Sequence, residues 1–444
     1  MRRTARTAAF EWDAQPETPW LRTYPAGVPP TYDYPAVNAS RLLDDAAQDF
    51  PETIAVEYRR YRLTYRKLLD HADRFATALV AVGVRPGDRV ALLLPNCPQL
   101  VIALFAAWRI GSGVSLHTTA RDSPSIAHAE ARVVVALDRW YAEHVAPVRR
   151  ALGGALPVIV TSRSDYLPFP DNVLDPLRRV LRGRPRRIPH TERVLSFADL
   201  VRRTLPAPDE PADSTGASAL VGPPDVDQAQ LVTNSFQLRL WLPDVVAGDE
   251  RVLLAIPLTS ALGVLWIATA VLSAATMILV DERRSAARQH VAVAARPTIL
   301  PVDAATIDDL LRPTRRRSRI PTVRVAIARE NLTDEARGQL EELTDKGRVR
   351  QAWGVAGVLT HADPVYGRRE DGTVGLPLPD TAVAILDPRQ PARPLAPGTR
   401  GNLWLRGPQL HGDRWVDAAT DATLDASGYL IVHQAAGESP PTTL

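Results

Sequence analysis

The sequence has 444 residues, 45% of them hydrophobic and 23% charged, a balance typical of a globular protein. This length exceeds what one ordinary hydrophobic core covers, so we expect two or three packed subdomains. The formal net charge of +3 argues against nucleic-acid binding. The single cysteine, Cys97, excludes an internal disulfide and favours a reducing, cytoplasmic location.

The first half of the chain alternates between helical and strand periodicity. Residues 63–84 carry apolar side chains at helical spacing, 86–96 predict a turn and a buried strand, and 97–113 predict a second helix. Residues 131–138 and 156–162 predict further buried strands. This alternation predicts an α/β fold.

The second half continues the pattern and then changes. Strand and helix signals recur from residue 251 to 328, whereas from about Gly372 short strands with turns predict a small antiparallel β subdomain. The expected organisation is an N-terminal extension (1–25), an α/β subdomain (26–204), a Pro-, Ala- and acid-rich linker (205–228), a second α/β subdomain (229–365), a small β subdomain (366–434) and a disordered tail (435–444).

Two features raise the question of a membrane. Leu262–Val280 contains no charge and is long enough for a membrane span, but its small and hydroxyl residues and its strand-like end favour a buried helix followed by a buried strand. We therefore expect no transmembrane segment, with a span as the alternative. The arginine-rich residues 178–187 and 312–319 are interpreted as solvated surface, with a phosphate or anionic-membrane patch as the alternative.

Several stretches, in this order, resemble the adenylate-forming (AMP-binding) superfamily of acyl-CoA synthetases, luciferases and peptide-synthetase adenylation domains. They include LTYRKLL, VGVRPGDRVALLLPN, RVLLAIPL, GLPLPDTAVAILDP and PGTRGNLWLRGPQL. Two more, PWLRTYPAGVP and VIVTSRSDYLPFPDNVLDPL, are similar to bacterial long-chain fatty acyl-CoA ligases. The resemblance runs from about Trp20 to Gln434. It implies the large N-terminal domain of that fold, with layered α/β subdomains and a small β-barrel-like subdomain.

The resemblance implies a two-step chemistry. A carboxylate attacks the α-phosphate of ATP to give an acyl-adenylate, and the thiol of CoA then displaces AMP. Bringing two anions together requires positive charge, backbone donors and Mg²⁺. In the family the donors come from a loop of the type T-S-G-T-T-G-x-P-K-G, whose glycines let backbone N–H groups approach the phosphates.

We expect that phosphate loop to be missing. It belongs after "QLVTNS" (Gln230–Ser235), a segment that begins like a buried strand, and Thr233 and Ser235 are candidates for its remnant. The following sequence rejoins the family pattern roughly twenty residues too early, which predicts that the loop and its following helix are deleted. Arg239 is the candidate for a partial replacement of charge.

Other functional positions are also altered. The motif that stacks adenine and supplies the Mg²⁺ carboxylate corresponds to residues 353–357, where Trp353 and Gly354 remain but Ala356 and Gly357 replace the hydroxyl and the carboxylate. The aspartate that holds the ribose falls on Gln434. The resemblance thus gives a vestigial nucleotide site of Thr233, Ser235, Trp353, Gly354 and Gln434.

The family's aromatic-His pair beside the acyl tunnel corresponds to Thr259 and Ser260, so the resemblance gives a vestigial acyl pocket of Thr259, Ser260 and Gly263. The chain ends ten residues after Gln434, and Lys67 and Lys346 are its only lysines. We therefore expect the C-terminal domain with the catalytic lysine to be absent, and we assign no catalytic residue. His117, His361 and His433 are isolated from other ligands, so no metal site is expected.

Three hypotheses follow. The first is a long-chain acyl-CoA ligase-like pseudo-ligase that cannot adenylate, that binds an acyl chain or acyl-CoA, and that forms a homodimer or pairs with an active ligase. The second is a divergent synthetase with altered chemistry or completed by a separate C-terminal domain. The third is a decaying gene product or an interaction scaffold. ATP, Mg²⁺ and CoA are cofactors by resemblance, but none is expected to act here.

Overall fold

The computed structural model describes residues 18–118, 130–181, 193–206, 215–222, 225–280, 291–312, 319–329, 332–410 and 412–433. Within these ranges the chain forms three sheets covered by helices, which confirms the predicted α/β class. The strands are β1 (Ile54–Tyr58), β2 (Tyr61–Thr64), β3 (Arg89–Leu93), β4 (Gly113–Leu116), β5 (Val133–Leu137), β6 (Val158–Thr161), β7 (Val194–Ser196), β8 (Ser218–Leu220), β9 (Val226–Asp227), β10 (Arg251–Leu254), β11 (Thr276–Leu279), β12 (Ile299–Val302), β13 (Val325–Ala328), β14 (Arg348–Val355), β15 (Val358–Ala362), β16 (Leu376–Pro377), β17 (Ala382–Asp387), β18 (Gln390–Pro394), β19 (Arg400–Gly407), β20 (Gly412–Leu424) and β21 (Leu430–His433).

The described helices lie between and outside these sheets. They are α1 (Arg41–Asp49), α2 (Tyr65–Val82), α3 (Pro98–Arg109), α4 (Asp138–Trp140), α5 (Ala146–Ala151), α6 (Asp171–Leu181), α7 (Phe197–Arg203), α8 (Gln228–Leu240), α9 (Ala261–Leu272), α10 (Ala304–Leu311) and α11 (Asp334–Leu343).

The seven-stranded sheet has the order β7-β6-β5-β3-β4-β8-β9. Its neighbouring strands are parallel except for the β8–β9 pair at one edge. Parallel strands are covered on both faces, which explains why β5 is apolar and buried at every position. Strands β8 and β9 lie within the predicted linker 205–228, so part of that segment is ordered structure, not a loose connector.

The nine-stranded sheet has the order β16-β15-β14-β13-β12-β10-β11-β1-β2. It is parallel in its centre and antiparallel at both edges, where β2 pairs with β1 and the β14–β15 hairpin continues into β16. Residues 54–64, from the first predicted α/β subdomain, thus pair with strands of the second. The sequence analysis did not predict these two strands, and a local pattern does not say which sheet a strand joins.

The five-stranded sheet has the order β18-β17-β19-β20-β21 and is antiparallel throughout, the pairing predicted for the C-terminal sequence. Part of the predicted N-terminal extension packs against it. Trp20 is buried and leaves no room for a side chain at Gly428, and the Thr23 hydroxyl donates to the carbonyl of Ser427. Residues 18–25 therefore belong to the folded core.

The charge-free segment Leu262–Val280 is confirmed as a buried helix followed by a buried strand, α9 and β11. The helix is apolar around its whole circumference because Val264 to Val271 are buried without exception. Within the described ranges, no helix is long and apolar enough to cross a membrane.

Candidate functional site

The segment expected to begin as a strand and lead into the phosphate loop is instead the helix α8. Asp227 caps it: its side chain accepts the N–H of Gln230, and the Gln230 side chain accepts the N–H of Asp227, at 2.7 and 2.9 Å. This capping box starts the helix directly after β9. The strand prediction for Gln230–Ser235 is therefore wrong, because buried polar residues at helical spacing lack the clear apolar stripe that marks a helix.

The predicted deletion of the loop and its following helix stays a prediction. A helix, α8, does stand between β9 and β10, and it contains the segment expected to precede the deletion. Asp227 is both the last residue of β9 and the N-cap of α8, which leaves no residues between them for a glycine loop. The connection between β9 and α8 therefore contains no glycine loop.

The two hydroxyl residues assigned to the vestigial nucleotide site lie inside α8. Ser235 is fully buried and its hydroxyl donates to the carbonyl of Leu231 at 2.7 Å, a bond within the helix. Thr233 is also buried. Arg239 donates to the carbonyls of Leu242 and Val245 just beyond the helix. These side chains serve the helix and its C-terminal turn.

The remaining polar side chains of α8 cross-link the sheets. Asn234 donates to the carbonyl of Leu359 and accepts its N–H, both at 2.8 Å, which ties the helix to β15. Gln237 donates to the carbonyl of Pro379 at 2.6 Å and to the side chain of Gln409 at 3.1 Å. Sequence reasoning missed this network, because a buried amide has no sequence signature of its own.

Trp353 and Gly354 lie near the end of β14 in a tight hairpin with β15. The turn residues Ala356 and Gly357 both have positive φ, 52° and 83°, which suits a two-residue turn between twisted strands. A Cβ at Gly354 would lie 2.0 Å from the carbonyl oxygen of Val358, so only glycine fits. The positions expected to supply hydroxyl and carboxylate groups are therefore turn positions.

The indole of Trp353 is half-buried and meets its cross-strand neighbour His361 edge-on, with ring centroids 5.8 Å apart. His361 is fully buried, its Nδ1 lies 3.0 Å from the Thr360 hydroxyl, and burial lowers its pKa to about 3. In the described structure its Nε2 has no hydrogen-bond partner. The imidazole is neutral near pH 7, so it packs beside Trp353 and cannot serve there as a charged group.

The three residues assigned to the acyl pocket form the N-terminus of α9. The Ser260 hydroxyl accepts the N–H of Gly263 at 3.1 Å and donates to the carbonyl of Pro257 at 2.8 Å. A Cβ at Gly263 would lie 2.3 Å from that same carbonyl oxygen. The buried hydroxyl of Thr259 has no partner among the residues described. The structure thus brings the three residues together in one helix cap.

The structure also shows a buried charged cluster that the sequence did not indicate. Asp363 is fully buried and accepts the N–H of Gln351 at 2.9 Å, while its own carbonyl accepts the indole N–H of Trp241. Burial raises the pKa of Asp363 and lowers that of nearby Arg337. Among the described groups, Nε and Nη1 of Arg337 have no hydrogen-bond partner.

The predicted nucleotide residues thus lie on two adjoining elements, α8 and the β14–β15 hairpin, which Asn234 links through Leu359, the register partner of Gly354. Gln434, the fifth, lies outside the described residues. A cleft of about 510 Å³ opens at the N-terminal end of α8. It is lined by Asp227, Ala229, Gln230, Pro408, Leu410, Gly412 and Arg414.

Comparison with known proteins places these features in a family. Residues 43–186 and 226–412 match the family described as AMP-binding enzyme. A long-chain-fatty-acid–CoA ligase of Bacillus subtilis (strain 168) is 26% identical over 445 residues, which cover 94% of this chain and 77% of that protein. A long-chain-fatty-acid–CoA ligase of Yersinia pestis is 23% identical and is covered over 80% of its length by 94% of this chain.

Solved structures agree in fold. A long-chain-fatty-acid-CoA ligase from Archaeoglobus fulgidus aligns with a TM-score of 0.73 at 15% identity, covering 93% of this chain and 86% of that one. A benzoate CoA ligase from Burkholderia xenovorans LB400 aligns with a TM-score of 0.74 at 17% identity, covering 92% and 82%. At these identities the likeness is evidence for the fold alone.

Proposed function

The chain belongs to the AMP-binding enzyme family, and from this premise we propose that it is a long-chain acyl-CoA ligase-like protein that does not adenylate. Its fold is that of the large N-terminal domain of adenylate-forming enzymes. We further propose that it binds a fatty acyl chain or an acyl-CoA, because its long matches are long-chain-fatty-acid–CoA ligases. ATP and Mg²⁺ are the family's cofactors, and the proposal is that neither acts here.

The observation that carries this proposal is the start of α8. A helix N-terminus binds a phosphate by offering it unpaired backbone N–H groups and the positive end of the helix dipole. Here the Asp227 carboxylate accepts the N–H of Gln230 and places a negative charge at that end. A phosphate would have to displace the carboxylate and overcome its repulsion. The short connection supplies no glycine-rich loop as a substitute.

The β14–β15 hairpin supports the same proposal independently. Mg²⁺ needs oxygen ligands, usually carboxylates, near the phosphates. Ala356 and Gly357 have no side-chain oxygen, and the positive φ of both residues commits them to the turn. Adenylation would therefore lack both its phosphate donors and its metal ligand. We propose that Trp353 and Gly354 persist because the hairpin needs them.

Two experiments test the proposal. The first is calorimetry with ATP·Mg²⁺ and with a long-chain acyl-CoA, and the second measures pyrophosphate release in the presence of long-chain fatty acids. We expect no heat from ATP, no pyrophosphate, and saturable acyl-CoA binding. Pyrophosphate release above background would contradict it and favour the divergent synthetase.

A substitution at Thr259 tests the proposed binding of acyl-CoA. Thr259→Phe puts a bulky ring among the residues proposed for the acyl pocket and should weaken acyl-CoA binding at least tenfold, whereas Thr399→Phe, at an exposed position, should leave binding unchanged. Equal binding by both variants would place the acyl site elsewhere. The first hypothesis also included a homodimer. Light scattering on the unchanged protein tests it, because a monomeric mass would rule the homodimer out.

A further inference from the structure

Helix α6 exposes an apolar face. Eleven large apolar side chains are exposed in the described structure, and four of them lie between residues 169 and 181. Their exposed fractions are 81% for Phe169, 57% for Val173, 51% for Leu177 and 77% for Leu181. None of the described side chains of α6 is buried. The cluster is therefore concentrated on α6 and the residues just before it, and is not ordinary scattered surface.

The apolar side chains form one stripe along the helix. At about 100° per residue, Val173, Leu177 and Leu181 follow one another at four-residue spacing along a single side. The acidic residues Asp171 and Asp175 lie on the opposite side of the same helix by this spacing. The stripe is thus free of negative charge, and the helix is strongly amphipathic.

The surroundings of the stripe are basic. The exposed Arg60, at the tip of the β1–β2 hairpin, lies 3.0 Å from the Asp171 carboxylate and neutralises it. Arg59 beside it and Arg178 on the helix are also exposed. The charge complements an anionic surface.

We propose that the face formed by Phe169, Val173, Leu177 and Leu181 docks on the surface of an anionic lipid bilayer. An amphipathic helix of this kind lies in the plane of the interface, with its apolar side chains among the acyl chains and its arginines at the headgroups. A single arginine near the surface attracts anionic lipid, and salt weakens this attraction. The docking does not depend on adenylation or on acyl binding.

Flotation of the whole chain with lipid vesicles tests the inference. We expect binding to phosphatidylcholine vesicles containing roughly one phosphatidylglycerol in three, weaker binding to phosphatidylcholine alone, and loss of the difference at high salt. Val173→Asp combined with Leu177→Asp should reduce binding at least tenfold. The matched control combines Val246→Asp and Leu152→Asp, whose exposed fractions are 56% and 47%, and should bind like the unchanged protein.

Three outcomes would overturn the inference. They are failure of the unchanged protein to bind anionic vesicles, equal loss of binding in the control pair, and unaltered binding by the α6 pair. A change of oligomeric mass in light scattering, caused by the α6 pair without a change in vesicle binding, would assign the face to a protein contact instead. Arg60→Glu tests the contribution of charge while leaving the apolar stripe intact. It should lower binding to anionic vesicles more than binding to neutral ones.

Discussion

Helices α8 and α6 depart from the usual distribution of side chains in opposite directions. α8 is buried and rich in polar residues, and its Gln228, Asn234 and Gln237 are all fully buried. α6 is exposed and carries the apolar stripe of Val173, Leu177 and Leu181. A buried helix is expected to be apolar and an exposed helix to be polar, and these two helices show the reverse.

The difference shows where each helix finds its partners. Burying an amide without a hydrogen bond is costly, so Asn234 and Gln237 are tolerated in α8 because the carbonyls of Leu359 and Pro379 accept their amide protons. The apolar stripe of α6 has no such neighbour in the described structure. The polar side chains of α8 thus find their partners within the fold. The apolar stripe of α6 does not, which is why we propose that it docks on a lipid surface.

The largest expected effect is on α8. Asn234→Ala removes three hydrogen bonds, one to the side chain of Gln237 and two to Leu359, and takes away the side-chain partner of the Leu359 N–H and carbonyl. Each unsatisfied group costs about 1–3 kcal/mol, so we expect about 3 kcal/mol less free energy of unfolding in urea titration. The matched control is Gln339→Ala, on an exposed helix face, which should change it by under about 0.5 kcal/mol. A small loss for Asn234→Ala would mean that α8 is not held by its amides.

The next prediction concerns His361, a buried imidazole on β15, the strand to which α8 is bound. Burial lowers the pKa of His361 to about 3 from its ordinary 6.5, so the unfolded chain takes up a proton between these values while the native chain does not. The stability is complete above pH 6.5 and is lost as the pH falls, by about 1.4 kcal/mol per pH unit near pH 5. His361→Phe should flatten this slope. An unchanged slope in urea titrations from pH 7 to 4.5 would contradict the assignment.

A buried carboxylate should respond to pH in the opposite sense. Burial raises the pKa of Asp73 to about 6, although Arg109 lies 2.9 Å away and opposes the shift. The native chain therefore takes up a proton at a higher pH than the unfolded chain does, and this stabilisation, complete below about pH 3.8, is lost as pH rises through 6. Asp73→Asn should gain about 1–2 kcal/mol over the unchanged protein between pH 4.5 and 7.5. A constant difference between these pH values would show an ordinary pKa.

Much of the fold follows from sequence pattern, but the site does not. Uninterrupted apolar runs such as Val133–Leu137 indicated buried parallel strands, and Leu262–Val280 was correctly interpreted as a helix and a strand. The segment of α8 was misread because its polar residues are buried on all sides, so it has no apolar stripe to reveal the helical period. The Asp227–Gln230 capping box was present in the sequence and could have predicted the helix.

The network of long-range contacts lay beyond such reasoning. The pairing of Asn234 with Leu359 joins residues 125 positions apart, and no local pattern specifies it. Likewise the sequence showed the arginines at 178–187, but only the structure shows that the stripe beside them is exposed. Burial is a property of the assembled sheets, so a residue-by-residue interpretation assigned Ser235 to a ligand, whereas its buried hydroxyl donates to the Leu231 carbonyl within α8.

The smallest expected effect bears most directly on α6. Val173→Asp with Leu177→Asp should change the free energy of unfolding by under about 0.5 kcal/mol, because both side chains are more than half exposed and lose little packing. Asp at 173 lies in the first turn of α6, where the helix dipole favours a carboxylate, whereas Asp at 177 has a lower helix propensity than leucine, so the net change is a small loss. Urea titration of this pair beside the Val246→Asp, Leu152→Asp pair measures it. A loss of several kcal/mol would mean that the stripe is covered by the chain itself in solution, which would remove the contrast with α8 and with it the argument for an external surface.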